Sequence, residues 1–264
     1  MIDSHAHIDF PDFDDDREEV LARARQQGVG AIITVGIDLP SSRASLQIAQ
    51  QHPGVFTSVG FHPHQASQLQ EGNLSLMAEL ARDDKVVAIG EIGLDFFRQL
   101  SPHQAQVEAF QQQLDLAVEL GLPVIIHCRD AHKEVLDILS RWAKSISPPA
   151  GNSRRLGVLH CFSGDAGLAE RYIELGFLIS LPGSVTYPSA RDKVAVAQQL
   201  PLGKLLVETD SPFLAPQLHR GKRNEPSYIP LIVDRIAQIK EVPAETVAQA
   251  TAENTVRLFH LPCG

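Results

Sequence analysis

The chain has 264 residues, a formal net charge of −9, 44% hydrophobic and 21% charged residues. That length suits one α/β barrel, and the acidic balance excludes a protein that coats duplex DNA through a broad basic face, while leaving room for an enzyme that grips one strand end through a local basic patch. No apolar run approaches the roughly 18 residues of a membrane span, the opening Met1-Ile2-Asp3-Ser4-His5 has no signal-peptide pattern, and Cys128, Cys161 and Cys263 form no disulfide framework, so a reducing cytoplasm is the expected compartment.

In chain order, short β-branched or apolar runs alternate with longer amphipathic stretches. The strand candidates are Ile2–His7, Ala31–Val35, Val55–Gly60, Val86–Glu91, Pro123–His127, Gly157–His160, Phe177–Leu181 and Leu205–Asp210. Helical patterns fall between them at Asp14–Gln27, Ser41–Gln51, Leu74–Arg82, Pro102–Leu120, Ala131–Lys144, Ala166–Leu175 and Ser189–Gln199, with two more at Tyr228–Ile239 and Ala244–Phe259. Gly28, Gly121 and Gly176 each follow a helical stretch as stop signals do, and Ser101-Pro102 reads as an N-cap followed by proline at the first helical position. Eight strand–helix units predict a parallel sheet closed into a single-domain (β/α)8 TIM barrel over residues 1–264, with an open doubly wound sheet as the alternative. Ser145–Arg155, with its prolines and glycine, reads as a loop between the fifth helix and the sixth strand.

The apolar runs end in ionisable groups. The first closes on His5 and His7, the fourth on Glu91, the fifth on His127, the sixth on His160 and the eighth on Glu208-Thr209-Asp210. Barrel active sites lie at the C-terminal strand ends, so closure would gather these residues from distant sequence positions. Alternate residues of a strand share a face, so His5 and His7 can offer two imidazoles to one ion. Six mixed nitrogen and oxygen donors exceed what one tetrahedral catalytic zinc uses. Two divalent ions are therefore expected, of the Mg, Mn or Zn kind. One would take His5, His7 and Asp210, the other His127 and His160, with Glu91 bridging. Such a pair clamps the attacking and leaving oxygens of a displacement, and Asp210 could accept the proton of the attacking water.

These residues lie in the runs Asp3-Ser4-His5-Ala6-His7, Gly60-Phe61-His62-Pro63, Gly90-Glu91-Ile92-Gly93-Leu94-Asp95, Ile126-His127-Cys128-Arg129-Asp130-Ala131, His160-Cys161-Phe162-Ser163-Gly164, Glu208-Thr209-Asp210-Ser211-Pro212 and Lys222-Arg223-Asn224-Glu225-Pro226. With all seven in this order, the chain resembles the TatD-type deoxyribonucleases, a branch of the amidohydrolase-like barrels, essentially end to end. The resemblance implies a (β/α)8 barrel, divalent-metal-dependent hydrolysis of DNA, often exonucleolytic from the 3′ end, and metal-binding positions at His5, His7, Glu91, His127, His160 and Asp210. DNA, as single strands or ends, is the expected partner.

Supporting residues carry two readings each. Arg129, at the barrel mouth, contacts phosphate or pairs with Asp130. His62 bonds a phosphate or leaving oxygen, or is a turn histidine before Pro63. Lys222 and Arg223, in the most basic local run, hold phosphate or are solvated charges. Glu208 and Asp95 orient ligand histidines, or form an internal ion pair and a loop cap respectively. Phe96 and Phe97 stack bases or pack a lid. Cys128 and Cys161 point away from the barrel interior. The same scaffold also suits hydrolysis of small cyclic amides, lactones or phosphotriesters, although many such barrels bridge their metals with a strand-four lysine where this chain has Glu91.

Overall fold

The computed structural model describes residues 1–146 and 156–262. Cys263 and most of the Ser145–Arg155 segment lie outside the described residues. The elements run β1 (Ile2–Ala6), α1 (Arg17–Gln26), β2 (Ala31–Val35), α2 (Leu39–Gln51), β3 (Val55–Val59), α3 (Glu71–Leu80), β4 (Val86–Asp95), α4 (His103–Leu120), β5 (Val124–Arg129) and α5 (His132–Ser145). They continue with β6 (Gly157–Leu159), α6 (Ala166–Glu174), β7 (Phe177–Leu181), α7 (Arg191–Gln199), β8 (Leu205–Val207), α8 (Ile229–Lys240) and α9 (Ala244–Phe259).

The strands pair in parallel in the order β1-β2-β3-β4-β5-β6-β7-β8. Closure between the first and last strands lies at their C-terminal ends. There the His7 N–H donates to the Ser211 carbonyl at 2.8 Å, and the Asp210 N–H donates to the His5 carbonyl at 2.9 Å. The architecture is the (β/α)8 TIM barrel.

Strands covered on both faces are near-continuous apolar runs, as in Ala31–Val35 and Phe177–Leu181. The outward faces pack on the helices. One inner cluster draws on every strand, through Ile2, Ile33, Phe56, Val87, Ile125, Val158, Leu178 and Leu206, with Val35 and Ala88 beside them. Leu258 and Phe259 of α9, with Leu261 just after it, join that cluster and floor the barrel. Two residues further along the same strand faces the side chains turn polar. Ile125 leads to His127, Val158 to His160, Leu178 to Ser180 and Leu206 to Glu208. The apolar layer thus supports a polar layer at the C-terminal mouth.

Helix ends follow local chemistry. Asp38 Oδ1 accepts the Ser41 N–H at 2.8 Å at the start of α2, and Asp165 Oδ1 accepts the Leu168 N–H at 2.8 Å at the start of α6. Gly28, Gly121 and Gly176 have φ of 79°, 67° and 103°, as helix-stop glycines require. Several boundaries differ from the sequence reading, and three of them bear on the mouth of the barrel. β4 runs four residues past Glu91, because Ile92 to Asp95 pair with Ile126 to Arg129 of β5. β8 ends at Val207, and the chain through Asp210 leaves the ladder, with Asp210 at φ 56°. Ser101 does not cap α4. Its hydroxyl donates to the His64 carbonyl at 2.8 Å and accepts the Ser67 N–H at 3.2 Å, so Pro102 takes the cap position.

Candidate metal centre

Five strand ends deliver the six expected ligands to one point. β1 shifts register against β2 between Asp3 and Ala6, and across this irregularity His5 and His7 bring their Nε2 atoms to 3.3 Å. Asp3, fully buried, fixes this corner. Its Oδ1 accepts the N–H groups of Thr209 at 2.9 Å and His5 at 3.3 Å, tying the start of the barrel to its end. His7 Nδ1 lies 3.0 Å from the Val35 carbonyl, which sets the ring and leaves Nε2 facing the centre.

β4 must approach β5 closely to bring Glu91 to His127. Gly93 makes this possible: its φ is 140°, and a Cβ there would sit 2.0 Å from the His127 carbonyl oxygen.

Glu91, 2% exposed, divides its two oxygens. Oε2 lies 3.5 Å from His5 Nε2 and 3.7 Å from His7 Nε2, while Asp210 Oδ1 is 3.7 Å from each of those nitrogens. A cation held at about 2.0–2.2 Å by tetrahedral donors has donor–donor edges of roughly 3.3–3.6 Å, so this group fits one divalent ion. Oε1 faces the other way, 2.7 Å from both His127 Nδ1 and His160 Nε2, nitrogens that are 3.2 Å apart. His62 Nε2 stands 3.5 Å from the same oxygen.

A second circle of carboxylates backs the imidazoles. Asp95 Oδ2 is 3.1 Å from His127 Nε2 and 3.0 Å from His64 Nε2. Glu208 Oε1 accepts the Cys161 N–H and lies 3.7 Å from His160 Nδ1. His5 Nδ1, His160 Nδ1 and Glu208 Oε2 are buried without a hydrogen-bond partner, and the His5 and His160 rings stack at 4.0 Å. His5, His160 and Glu208 thus form a further donor group deeper in the barrel. Orphaned buried donors are costly unless a cation or water meets them, which agrees with a metal-binding use of this layer.

Burial lowers the pKa of His5 to about 4 and lowers those of His7 and His62, leaving neutral imidazoles with free lone pairs. For His160, burial opposes protonation, but the Glu91 and Glu208 carboxylates outweigh it and push its pKa well up. Burial likewise opposes ionisation of Glu91, but the His160 charge and the hydrogen bonds from His127 and His160 hold it well below the usual carboxylate range. At Asp210 burial wins and raises the pKa well above that range.

The outer residues divide. His62 lines the centre at 8% exposure, and its Nδ1 accepts the His64 N–H at 3.0 Å. Arg129 lies on the exposed rim with its guanidinium 3.9 Å over the Phe97 ring. Lys222 is exposed after β8. Arg223 is not free: it forms a two-pronged ion pair with Asp16 at 2.8 and 2.6 Å, while Arg23 bonds Glu225 at 2.6 Å. This network pins the loop against α1. Cys128 Sγ lies 3.2 Å from His132 Nδ1, away from the ligands. The sequence reading gave no role to Asp3, Thr209 or His64. For Asp3, the usable signal was an acid two residues before the candidate ligand His5 on the first strand.

A sequence profile for the family described as TatD related DNase matches residues 2–260. The chain is 39% identical to the uncharacterized metal-dependent hydrolase YabD of Bacillus subtilis, covering 99% of each chain. It is 36% identical to the 3'-5' ssDNA/RNA exonuclease TatD of Pectobacterium carotovorum, covering 99% of this chain and all of that one. Among solved structures, the TatD homolog YJJV of Escherichia coli superimposes with a TM-score of 0.91 at 35% identity, covering 99% of this chain and 98% of the other.

Proposed function

The chain belongs to the TatD related DNase family of metal-dependent hydrolases, and from that premise we propose that it is a divalent-metal-dependent nuclease that removes nucleotides from the 3′ end of single-stranded nucleic acid. The observation that carries this reading is the division of Glu91: one oxygen faces His5, His7 and Asp210, the other His127 and His160. A carboxylate can bridge two cations where an imidazole cannot, so the residues fit a pair of ions. When bound, those ions supply Lewis acidity toward the phosphate and lower the pKa of water.

This chain's own groups supply the rest. Asp210, whose Oδ1 faces His5 and His7, has its second carboxylate oxygen to take the proton of the attacking water. Neutral His62 presents Nε2 beside Glu91 and donates a hydrogen bond to a phosphate oxygen. Asp95 holds the tautomer of His127, and Glu208, 3.7 Å from His160 Nδ1, is a charge that favours a proton on that nitrogen. Arg129 and Lys222 on the rim attract phosphates flanking the one being cut, and Arg223, through Asp16, holds the loop that presents Lys222. A full-length relative named for a 3'-5' ssDNA/RNA exonuclease supports the polarity and substrate.

The test uses 3′-labelled and 5′-labelled single-stranded DNA with Mg or Mn, with and without chelator. Stepwise loss of the 3′ label that stops on chelation is expected. No cleavage by metal-loaded protein, together with turnover of a lactone or cyclic amide, would overturn the reading.

A further inference from the structure

Five large apolar side chains are strongly exposed among the described residues, and four of them occupy only two loops. Phe97 (58% exposed) and Leu100 (65%) follow β4; Phe213 (51%) and Leu218 (75%) follow β8. The fifth, Val118, is on α4. In an eight-stranded barrel β4 and β8 are diametrically opposed. The two apolar edges therefore face each other across the mouth, with the Glu91 centre between them.

Neither phenylalanine is loosely held. Asp95, 1% exposed, accepts the N–H groups of Phe97 at 3.0 Å and Arg98 at 2.9 Å through Oδ1, while its Oδ2 meets His127. Asn224, fully buried, donates to the Phe213 carbonyl at 2.6 Å and to the Thr209 carbonyl at 2.8 Å. The Phe213 ring is 6.0 Å from Phe10 and 6.3 Å from His7, and Phe10 itself stacks on His7 at 4.7 Å. Each exposed ring is thus tied by one short relay to a histidine of the centre. A solvent-facing aromatic with a clamped backbone is what a flat partner needs.

The charges choose the partner. In a chain of net charge −9, Arg98, Arg129, Arg220 and Lys222 on these rims are exposed and, among the described residues, have no carboxylate within ion-pair distance. Arg129 lies over Phe97, and Arg220 lies 4.9 Å over the Tyr187 ring. Flat apolar faces interleaved with unpaired cations match a polyanion that carries flat rings.

We propose that Phe97 and Phe213 are base-stacking platforms, each taking one nucleobase of a single strand whose phosphate lies over the Glu91 centre between them. This deepens the nuclease reading and rests on it. It assigns single-strandedness to geometry, because two bases can reach opposed platforms only when unpaired and splayed apart.

The probes are two oligonucleotides, one carrying 2-aminopurine at its 3′-terminal position and one at the penultimate position, titrated in chelator so that nothing is cut, and then cleaved with Mn. Stacking quenches both in the wild type, and Phe97→Ala and Phe213→Ala each lose the quenching of a different one of the two. Each raises KM roughly tenfold with little change in kcat, while KM for an oligonucleotide abasic at its two terminal positions stays unaltered. Val118→Ala, an exposed apolar change elsewhere, leaves every readout unchanged. Cleavage by wild type with quenching and KM indifferent to both substitutions overturns the platforms and leaves the nuclease standing. Quenching that depends on both rings, without cleavage, supports the platforms and removes the nuclease. Sedimentation showing that the substitutions separate a dimer while binding is unchanged makes a second copy the occupant and overturns the proposal.

Discussion

Asp95 and His127 meet on the side of the imidazole that faces away from Glu91: Asp95 Oδ2 is 3.1 Å from Nε2, and Glu91 Oε1 is 2.7 Å from Nδ1. The other Asp95 oxygen is committed to the N–H groups of Phe97 and Arg98. In Asp95→Asn the amide oxygen must stay on those donors, so the amide nitrogen faces His127. That donor forces the ring proton onto Nδ1, the atom aimed at the centre. Metal affinity should fall about 10- to 100-fold with the fold retained. Competition against a fluorescent chelator measures it, and unaltered affinity would remove Asp95 from the positioning role.

Gly93→Ala places a Cβ 2.0 Å from the His127 carbonyl oxygen, at a φ of 140° that side chains rarely adopt. The change should cost about 2–4 kcal/mol and loosen the β4–β5 pairing that joins Glu91 to His127. Urea unfolding gives the first effect and metal titration the second. Wild-type values for both would show that the close approach is dispensable.

The centre should also report its ions through stability. A cation that binds only the folded chain adds about 2.7 kcal/mol at a hundredfold excess over its Kd. Melting of wild type should rise with Mn and drop in chelator. Glu91→Gln, which removes the shared charge, should show much less of this response and lose nearly all cleavage. A melting temperature indifferent to Mn in the wild type contradicts the assignment of the donors.

Acid sensitivity is expected at the α1 contact, away from the centre. The Arg223 guanidinium, with Arg23 beside it, lowers the pKa of Asp16 to about 2. A carboxylate depressed in the fold from about 4 when unfolded contributes stability above pH 4 and loses it as the pH falls toward 2. Asp16 is partly open to solvent, so its contribution is small, about 1 kcal/mol or less. The wild type should therefore exceed Asp16→Asn in urea midpoint at pH 7, and the gap should close between pH 4 and pH 2. A gap that widens on acidification reverses the sign of this argument.

Much of the site was legible because strand chemistry is local. A side chain two residues beyond an inward Val or Ile must also point inward, so Val158 foretold His160 and Ile125 foretold His127. The eightfold rhythm likewise revealed the barrel. What escaped depends on contacts between remote segments. Asp3 meets Thr209 and Arg223 meets Asp16 across more than two hundred residues, and no spacing rule reaches that far. His64 had no legible role because its partner Asp95 belongs to the next strand's extension. Ser101 failed as a cap because the turn after β3 claimed its hydroxyl first.

The α9 floor has a topological meaning for traffic. Leu258, Phe259 and Leu261 pack beneath the inner cluster that fills the barrel, so the side chains of the centre are reached only from the C-terminal mouth. On the proposed nuclease reading, a strand would dip a free tail into that one doorway and back out after each cut.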